Sequence, residues 1–282
     1  MKTLYVSDLD GTLLRSDERT SDYTNGIINR LTEQGMIFSY ATARSLVTAK
    51  KVTRGLCARI PLIVYNGAFV MDNVTGDLLI ANYFTQDIRE VLWQLLEHEI
   101  YPIVYSYING AEKFSYIRER CTKGMIDFLQ TRKGDPRDNP VKTTEELLNG
   151  SCFYITCIDR PDKLKPLYHT CQEQFHCVYQ TDLYTKEQWL EIMPRQASKA
   201  NAALQLKKRF GCSRLVAFGD GRNDLDLFAA ADESYAVENA VDELKAAATG
   251  VILSNQEDGV ARWLEQHARQ NGQKRGCAIS PA

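Results

Sequence analysis

Asp8 and Asp10 stand one residue apart in LYVSDLDGTLL (residues 4–14), directly after a short apolar run. Far along the chain Asp220, Asn223 and Asp224 follow a second such run in RLVAFGDGRND (214–224). Carboxylates gathered within a few ångströms repel one another, and without a counter-ion some of them take up protons. A hard divalent cation removes that cost, and Mg²⁺ in particular takes one or a few carboxylates together with waters and a substrate phosphate oxygen. Acids in this pattern therefore point to a Mg²⁺ site facing an anionic substrate. Other polar residues also end apolar runs: Thr42 and Arg44 in MIFSYATARS (36–45), Asn66 and Gly67 in PLIVYNGAF (61–69). Lys199 opens a helical stretch, where its charge opposes the helix dipole and an anion nearby would make sense of it. Taken one at a time each has an ordinary explanation, an Asp-Gly turn, an Asn cap, a surface hydroxyl. Their common placement is the informative fact.

The elements that must position them alternate. Residues 3–7 read as a strand; 21–35 as a helix with Ile27, Ile28 and Leu31 at helical spacing and Gly35 as its stop; 36–45 as a strand; 47–56 as a helix; 61–69 as a third strand. The pattern returns with a helix over 197–211, a strand at 214–218 running into the polar loop, a helix over 224–231, a strand over 234–239, a helix over 240–248 and a strand over 250–255. This predicts an α/β fold with a Rossmann-like parallel sheet built from both ends of the chain. Ligands of such sheets bind outside the carboxyl ends of the strands, the edge to which all these polar residues belong. Between the two halves the pattern changes to paired strands and helices: helices over 85–98, 121–130 and 161–174, strands over 101–110 and 112–119 about Asn109-Gly110, a strand over 151–159, and two strands within 176–194. Residues 83–190 are therefore predicted to form an α+β domain inserted into a core of 1–82 and 191–282, with 131–146 a polar loop and 269–282 a frayed tail.

Composition excludes other classes. Hydrophobic residues at 44% of 282 suffice for real cores, and 34 basic against 36 acidic residues leave no broad positive field for nucleic acid. No apolar run approaches the length that crosses a bilayer, and acidic residues follow the N-terminus closely, so no membrane partner and a cytoplasmic location are expected. The eight cysteines contain no C-x-x-C pair, which fits ordinary thiols in a reducing compartment.

At these residues the chain resembles the haloacid dehalogenase superfamily of phosphohydrolases. DLDGTLL (8–14) resembles its first motif, D-x-D-G-T; ATARS (41–45) the second, with Thr42 as the hydroxyl; Lys199 in QASKANAAL the third; and FGDGRNDLDLF (218–228) the fourth, G-D-G-x-N-D. Ala43 departs from the glycine common at that place. The insert between the second and third motifs resembles the type-2 cap of the Cof-like subgroup. The resemblance implies a Mg²⁺-dependent phosphohydrolase in which Asp8 attacks phosphorus to form an aspartyl-phosphate, while Asp10 protonates the departing alcohol and then deprotonates the hydrolytic water. It implies Mg²⁺ on Asp8, Asp220 and the Asp10 backbone carbonyl, with Asp224 as a further ligand or its supporting partner. Thr42 and Lys199 would bind the phosphoryl oxygens, Asn223 would add a hydrogen bond, and Arg44, Asn66 and Gly67 would stand on the substrate side. The cap is expected to close over the site and read the leaving group, which favours small phosphorylated metabolites such as sugar phosphates or phosphorylated cofactors, handled by a monomer or weak homodimer. A phosphomutase would want a second phosphate-binding cluster in 83–190, and a non-catalytic binder has no need of Asp10, Lys199 and Asp220 together.

Overall fold

Two stretches of chain far apart in sequence meet in one sheet. The computed structural model describes residues 2–57, 59–85, 87–182 and 185–276, with side chains as far as His267. Residues up to Ala81 and from Ser198 onward make one compact unit, and Asn82–Ala197 make another.

The first unit opens with β1 (Thr3–Asp8), α1 (Asp22–Glu33), β2 (Ile37–Ala41), α2 (Leu46–Val52), β3 (Pro61–Val64), β4 (Phe69–Asp72) and β5 (Leu78–Ala81). The second contains α3 (Arg89–Glu97), β6 (Ile103–Ile108), β7 (Ala111–Ile117), α4 (Lys123–Gln130), β8 (Asp138–Val141), β9 (Ser151–Ile158), α5 (Pro161–Cys171), β10 (His176–Thr181) and β11 (Gln188–Met193). The first unit is then completed by α6 (Lys199–Arg209), β12 (Arg214–Gly219), α7 (Leu225–Ala230), β13 (Glu233–Val237), α8 (Asp242–Ala247), β14 (Gly250–Ile252) and α9 (Gly259–Gly276).

The sheet of the first unit runs β14-β13-β12-β1-β2-β3-β4-β5, with β1 parallel to both β12 and β2. Its central strands are apolar along nearly their whole length, as strands covered on both faces must be; Leu4, Val6, Leu215, Ala217 and Phe218 are fully buried. Register sets Ser7 beside Phe218 and Asp8 beside Ala41, so the strand ends carrying the two acidic clusters are neighbours. The helices begin on serine caps: Ser21, Ser45 and Ser198 each accept a hydrogen bond from a first-turn amide of α1, α2 and α6. Beyond β3 the sheet departs from the all-parallel expectation, because β4 and β5 add to it antiparallel.

The sheet of the second unit runs β10-β11-β9-β6-β7-β8. β6 and β7 turn at Asn109-Gly110, whose φ values of 51° and 78° suit a two-residue hairpin. Leu92 and Leu95 of α3 and Leu164 and Leu167 of α5 share its core with Ile155, Leu190 and Ile192. The expected polar loop over 131–146 contains β8, which pairs parallel with β7. Its order comes from Arg137, whose guanidinium is buried and bound to Asp135 (2.6 Å) and Glu112 (2.7 Å). The last strand, β11, runs past residue 190 to Met193. Likewise α9 continues through Gly276 where a tail from 269 is expected; 277–282, including Cys277, lie outside the described residues. Among the described residues no helix is long and apolar enough to cross a membrane.

Asp258 ties α1 to the start of α9. It accepts hydrogen bonds from Arg15 (2.5 Å), Ser21 (2.7 Å) and Thr24 (3.1 Å). Burial alone would raise its pKa, but Arg15 and Ser21 outweigh that and hold it below the usual carboxylate range. A depressed folded-state pKa contributes stability above the unfolded value that is lost as pH falls through the folded one. Asp258→Ala should therefore cost about 2 kcal/mol near neutral pH, a fall in Tm of several degrees. The gap to wild type in thermal melts should narrow below about pH 4.

Candidate active site

Asp8 ends β1, Asp220 follows β12, and Asp224 closes the turn before α7. One carboxylate oxygen from each lies within 4.8 Å of the others. Lys199, the first residue of α6, donates to Asp8 and to Asp224 Oδ1 (2.8 Å) from a fully enclosed position. Asp224 Oδ2 accepts from the backbone amides of Asp220 and Gly221, both at 3.1 Å, so that carboxylate shapes the 220–221 loop while it holds Lys199. Thr12 Oγ1 donates to Asp220 Oδ1 at 2.9 Å. Gly11, at φ +82°, lies against this carboxylate; any side chain there would collide with Asp220.

Asp10 is turned another way. Its carboxylate meets the Arg44 guanidinium in three contacts of 2.6, 2.9 and 3.1 Å, and Arg44 Nη2 also reaches Glu18 Oε2 at 3.0 Å. The segment carrying Arg44 is fastened to the turn after β3: the Thr42 carbonyl accepts from the Asn66 amide (2.9 Å), and the Arg44 carbonyl from the Tyr65 amide (3.0 Å). Thr42 Oγ1 accepts from the Arg44 amide at 3.1 Å. Tyr65, Asn66 and Gly67 have φ of 51°, 50° and 95°, three left-handed residues in succession. Tyr65 is strained there, Asn66 is of a type that tolerates this region, and the third must be glycine because a Cβ would strike the carbonyl of Ser198, just before Lys199. Asn66 is buried in this turn, and Asn223 lies half-buried beside Asp224 with its side chain over Gly221. Among the sequence-predicted residues, then, Asp8, Asp220, Asp224 and Lys199 form one cluster and Asp10 and Arg44 an ion pair. Thr42, Asn66 and Gly67 form the backbone that carries Arg44 and abuts α6.

Burial pushes the Asp8 carboxyl well above the usual carboxylate range; Lys199 pulls it back, and Asp224 and Asp220 push it up again. Burial, then Asp224, push Asp220 up to about 6. Burial works to lower Lys199, but Asp224 and Asp8 outweigh it and raise its pKa, so the ammonium stays charged. One buried cation thus faces three carboxylates, and the cluster keeps an excess of negative charge.

Three supporting residues carry no signal of their own in the sequence. Glu18 sits in the 15–19 turn, where the Arg15 amide donates to the Arg19 carbonyl and the Glu18 amide to the Arg15 carbonyl. Asn239 donates to the Gly11 carbonyl (2.8 Å), and Asn255 donates to the Leu14 carbonyl (2.8 Å) and to Asn239 through its amide (3.0 Å). Asn239 and Asn255 brace the loop after β1 from elements distant in sequence, whereas Glu18 belongs to that loop.

The fold and site define a Rossmann-like α/β core with a carboxylate–lysine cluster at the carboxyl edge of its sheet. Residues 5–264 match the family described as haloacid dehalogenase-like hydrolase, and the chain belongs to that family. It is 27% identical over 289 residues to a 5-amino-6-(5-phospho-D-ribitylamino)uracil phosphatase of Bacillus subtilis (strain 168), covering 94% of this chain and 98% of that protein. A crystal structure from Thermotoga maritima superposes with TM-score 0.73 at 26% identity, covering 94% of this chain and 97% of the other. A phosphatase of the superfamily from Bacteroides thetaiotaomicron shares the fold with TM-score 0.76 at 17% identity, over 95% of this chain and 96% of that one. The chain is an enzyme, a phosphoric monoester hydrolase of this superfamily.

Proposed function

We propose that the enzyme hydrolyses phosphate monoesters of small metabolites, with Mg²⁺ and through an aspartyl-phosphate on Asp8. The observation that carries this reading is the buried contact of Lys199 with Asp8 and Asp224 while Asp220 stands beside them. The donor set fits Mg²⁺: it is all hard oxygen, and its excess negative charge in a buried place is what a small divalent cation offsets. Asp8, Asp220 and the Asp10 carbonyl would hold the ion, with Asp224 supporting them by fixing Lys199 and the 220–221 amides. When bound, the ion would neutralise charge on the phosphoryl oxygens.

In this reading the chain's own groups do the rest. Asp8, held at the end of a buried strand, attacks phosphorus and forms the acyl phosphate as the ester P–O bond breaks. Asp10 gives its proton to the departing alkoxide, then takes one from the water whose attack releases phosphate and restores Asp8. Lys199 offsets the Asp8 charge and, with the Thr42 hydroxyl, binds phosphoryl oxygens. The substrate class is phosphorylated polyols, sugars or cofactors. The Bacillus subtilis relative, named for a phosphoribityl compound, supports that class. Reading of the leaving group is assigned to the inserted unit.

Phosphate release from p-nitrophenyl phosphate and a panel of sugar phosphates tests the proposal. Protein stripped with EDTA should fall to background and recover on addition of Mg²⁺. Turnover that persists unchanged in chelator, or none across the panel with Mg²⁺ present, would overturn it.

A further inference from the structure

Arg44 holds two carboxylates at once. Its Nε and Nη2 clamp Asp10 from the side, and the same Nη2 reaches Glu18. Side-chain exposure is 21% for Arg44, 25% for Asp10 and 43% for Glu18, so the Asp10 contact is the more enclosed and Glu18 waits at the rim. A two-point guanidinium–carboxylate contact is a strong, directional pair. Both oxygens of Asp10 face that guanidinium, so the carboxyl group has to turn from it to present one of them to the oxygen of a departing alcohol. It must let go of Arg44 to work, and a partly enclosed guanidinium that loses its partner is costly unless another anion replaces it.

Glu18 is already placed for that. The turn that carries it is closed by one backbone hydrogen bond from the Arg15 amide to the Arg19 carbonyl and one from the Glu18 amide to the Arg15 carbonyl, with Glu18 at φ 58°, a conformation unfavourable for this residue type. From this turn its side chain reaches Arg44 at 3.0 Å. We infer that Glu18 is a positioning residue for the acid–base step: it takes over Arg44 when Asp10 releases it, and so narrows the energy gap between the clamped and working positions of Asp10. This rests on the reading of Asp10 as proton donor. Without Glu18, Arg44 has Asp10 as its sole partner within this trio and retains it.

The test compares two leaving groups. p-Nitrophenolate departs with little help from an acid, whereas the alkoxide of glucose 6-phosphate requires a proton. With Mg²⁺ present, Glu18→Gln should lower kcat on glucose 6-phosphate about tenfold with KM nearly unchanged, and lower it far less on p-nitrophenyl phosphate. Glu18→Asp, which keeps the charge, should recover part of the loss. In an Arg44→Gln background the Glu18→Gln change should have no further effect, since its route through Arg44 is gone. Equal losses on both substrates, additive losses in the double variant, or an unchanged kcat on glucose 6-phosphate would each overturn the inference while the phosphatase reading stands. A wild-type protein inactive on every ester of the panel would remove that reading and the inference with it.

Discussion

Asp8→Asn should lower kcat/KM for phosphate esters by about four orders of magnitude or more while the protein stays folded. The amide is nearly the same size, so β1 keeps its register between β12 and β2 and its buried neighbours. What goes is the only group in the cluster that ends a buried strand and touches Lys199 while lying against Asp220. Folding should suffer little: burial, Asp224 and Asp220 work against an ionised Asp8 and the substitution relieves that, while Lys199, which favours the ionised form, loses one partner but keeps Asp224. Thermal melts should show a Tm close to wild type beside undetectable turnover. Rapid quenching with a phosphorus-labelled substrate should trap label on the wild-type protein and none on the variant. A variant that retains wild-type rates would remove Asp8 from the chemistry altogether.

The core and the acidic cluster were legible because their causes are local or periodic. Apolar runs ending in polar residues mark parallel strands, and any such sheet gathers its strand ends at one edge, which pairs Asp8 with Asp220 across the chain. What could not be read depends on partners that sequence does not bring together. β8 lies in a stretch rich in Pro, Gly and charge, and it is ordered by the buried contacts of Arg137 with Glu112 and Asp135. The bond from Arg44 to Asp10 and Glu18 is set by how the loop after β2 folds onto the turn after β1, for which no spacing rule exists. Asn239 and Asn255 act through single hydrogen bonds to carbonyls of the 11–14 segment. Backbone acceptors are anonymous in a sequence, so residues that brace them stay hidden until the fold is known.

Lys199→Met carries the largest expected effect on stability, because the lysine is needed twice. It opens α6, where the helix dipole disfavours a cation, and it stays there because two carboxylates hold it. Methionine fills much the same space but leaves Asp8 and Asp224 buried with no positive partner, and breaking a buried pair from one side costs about 3–5 kcal/mol. In metal-free protein that predicts a Tm lower by about 10 °C, and in the loaded enzyme a kcat reduced by about 100- to 1,000-fold. The raised pKa of Lys199 gives the sign of the pH response. A group raised in the folded state contributes stability below its unfolded value, which is lost only as pH rises through the folded one, so wild type should show no loss from this source between pH 6 and 9. In the variant the carboxylates left behind can relieve their repulsion by taking up protons, so the deficit should shrink as the pH is lowered. Mg²⁺ offers the same relief by another route, and melts with and without it should show a larger rise in the variant than in wild type. An equal rise in both would mean that the metal and the lysine do not share these carboxylates, and the proposed division of labour between them would fail.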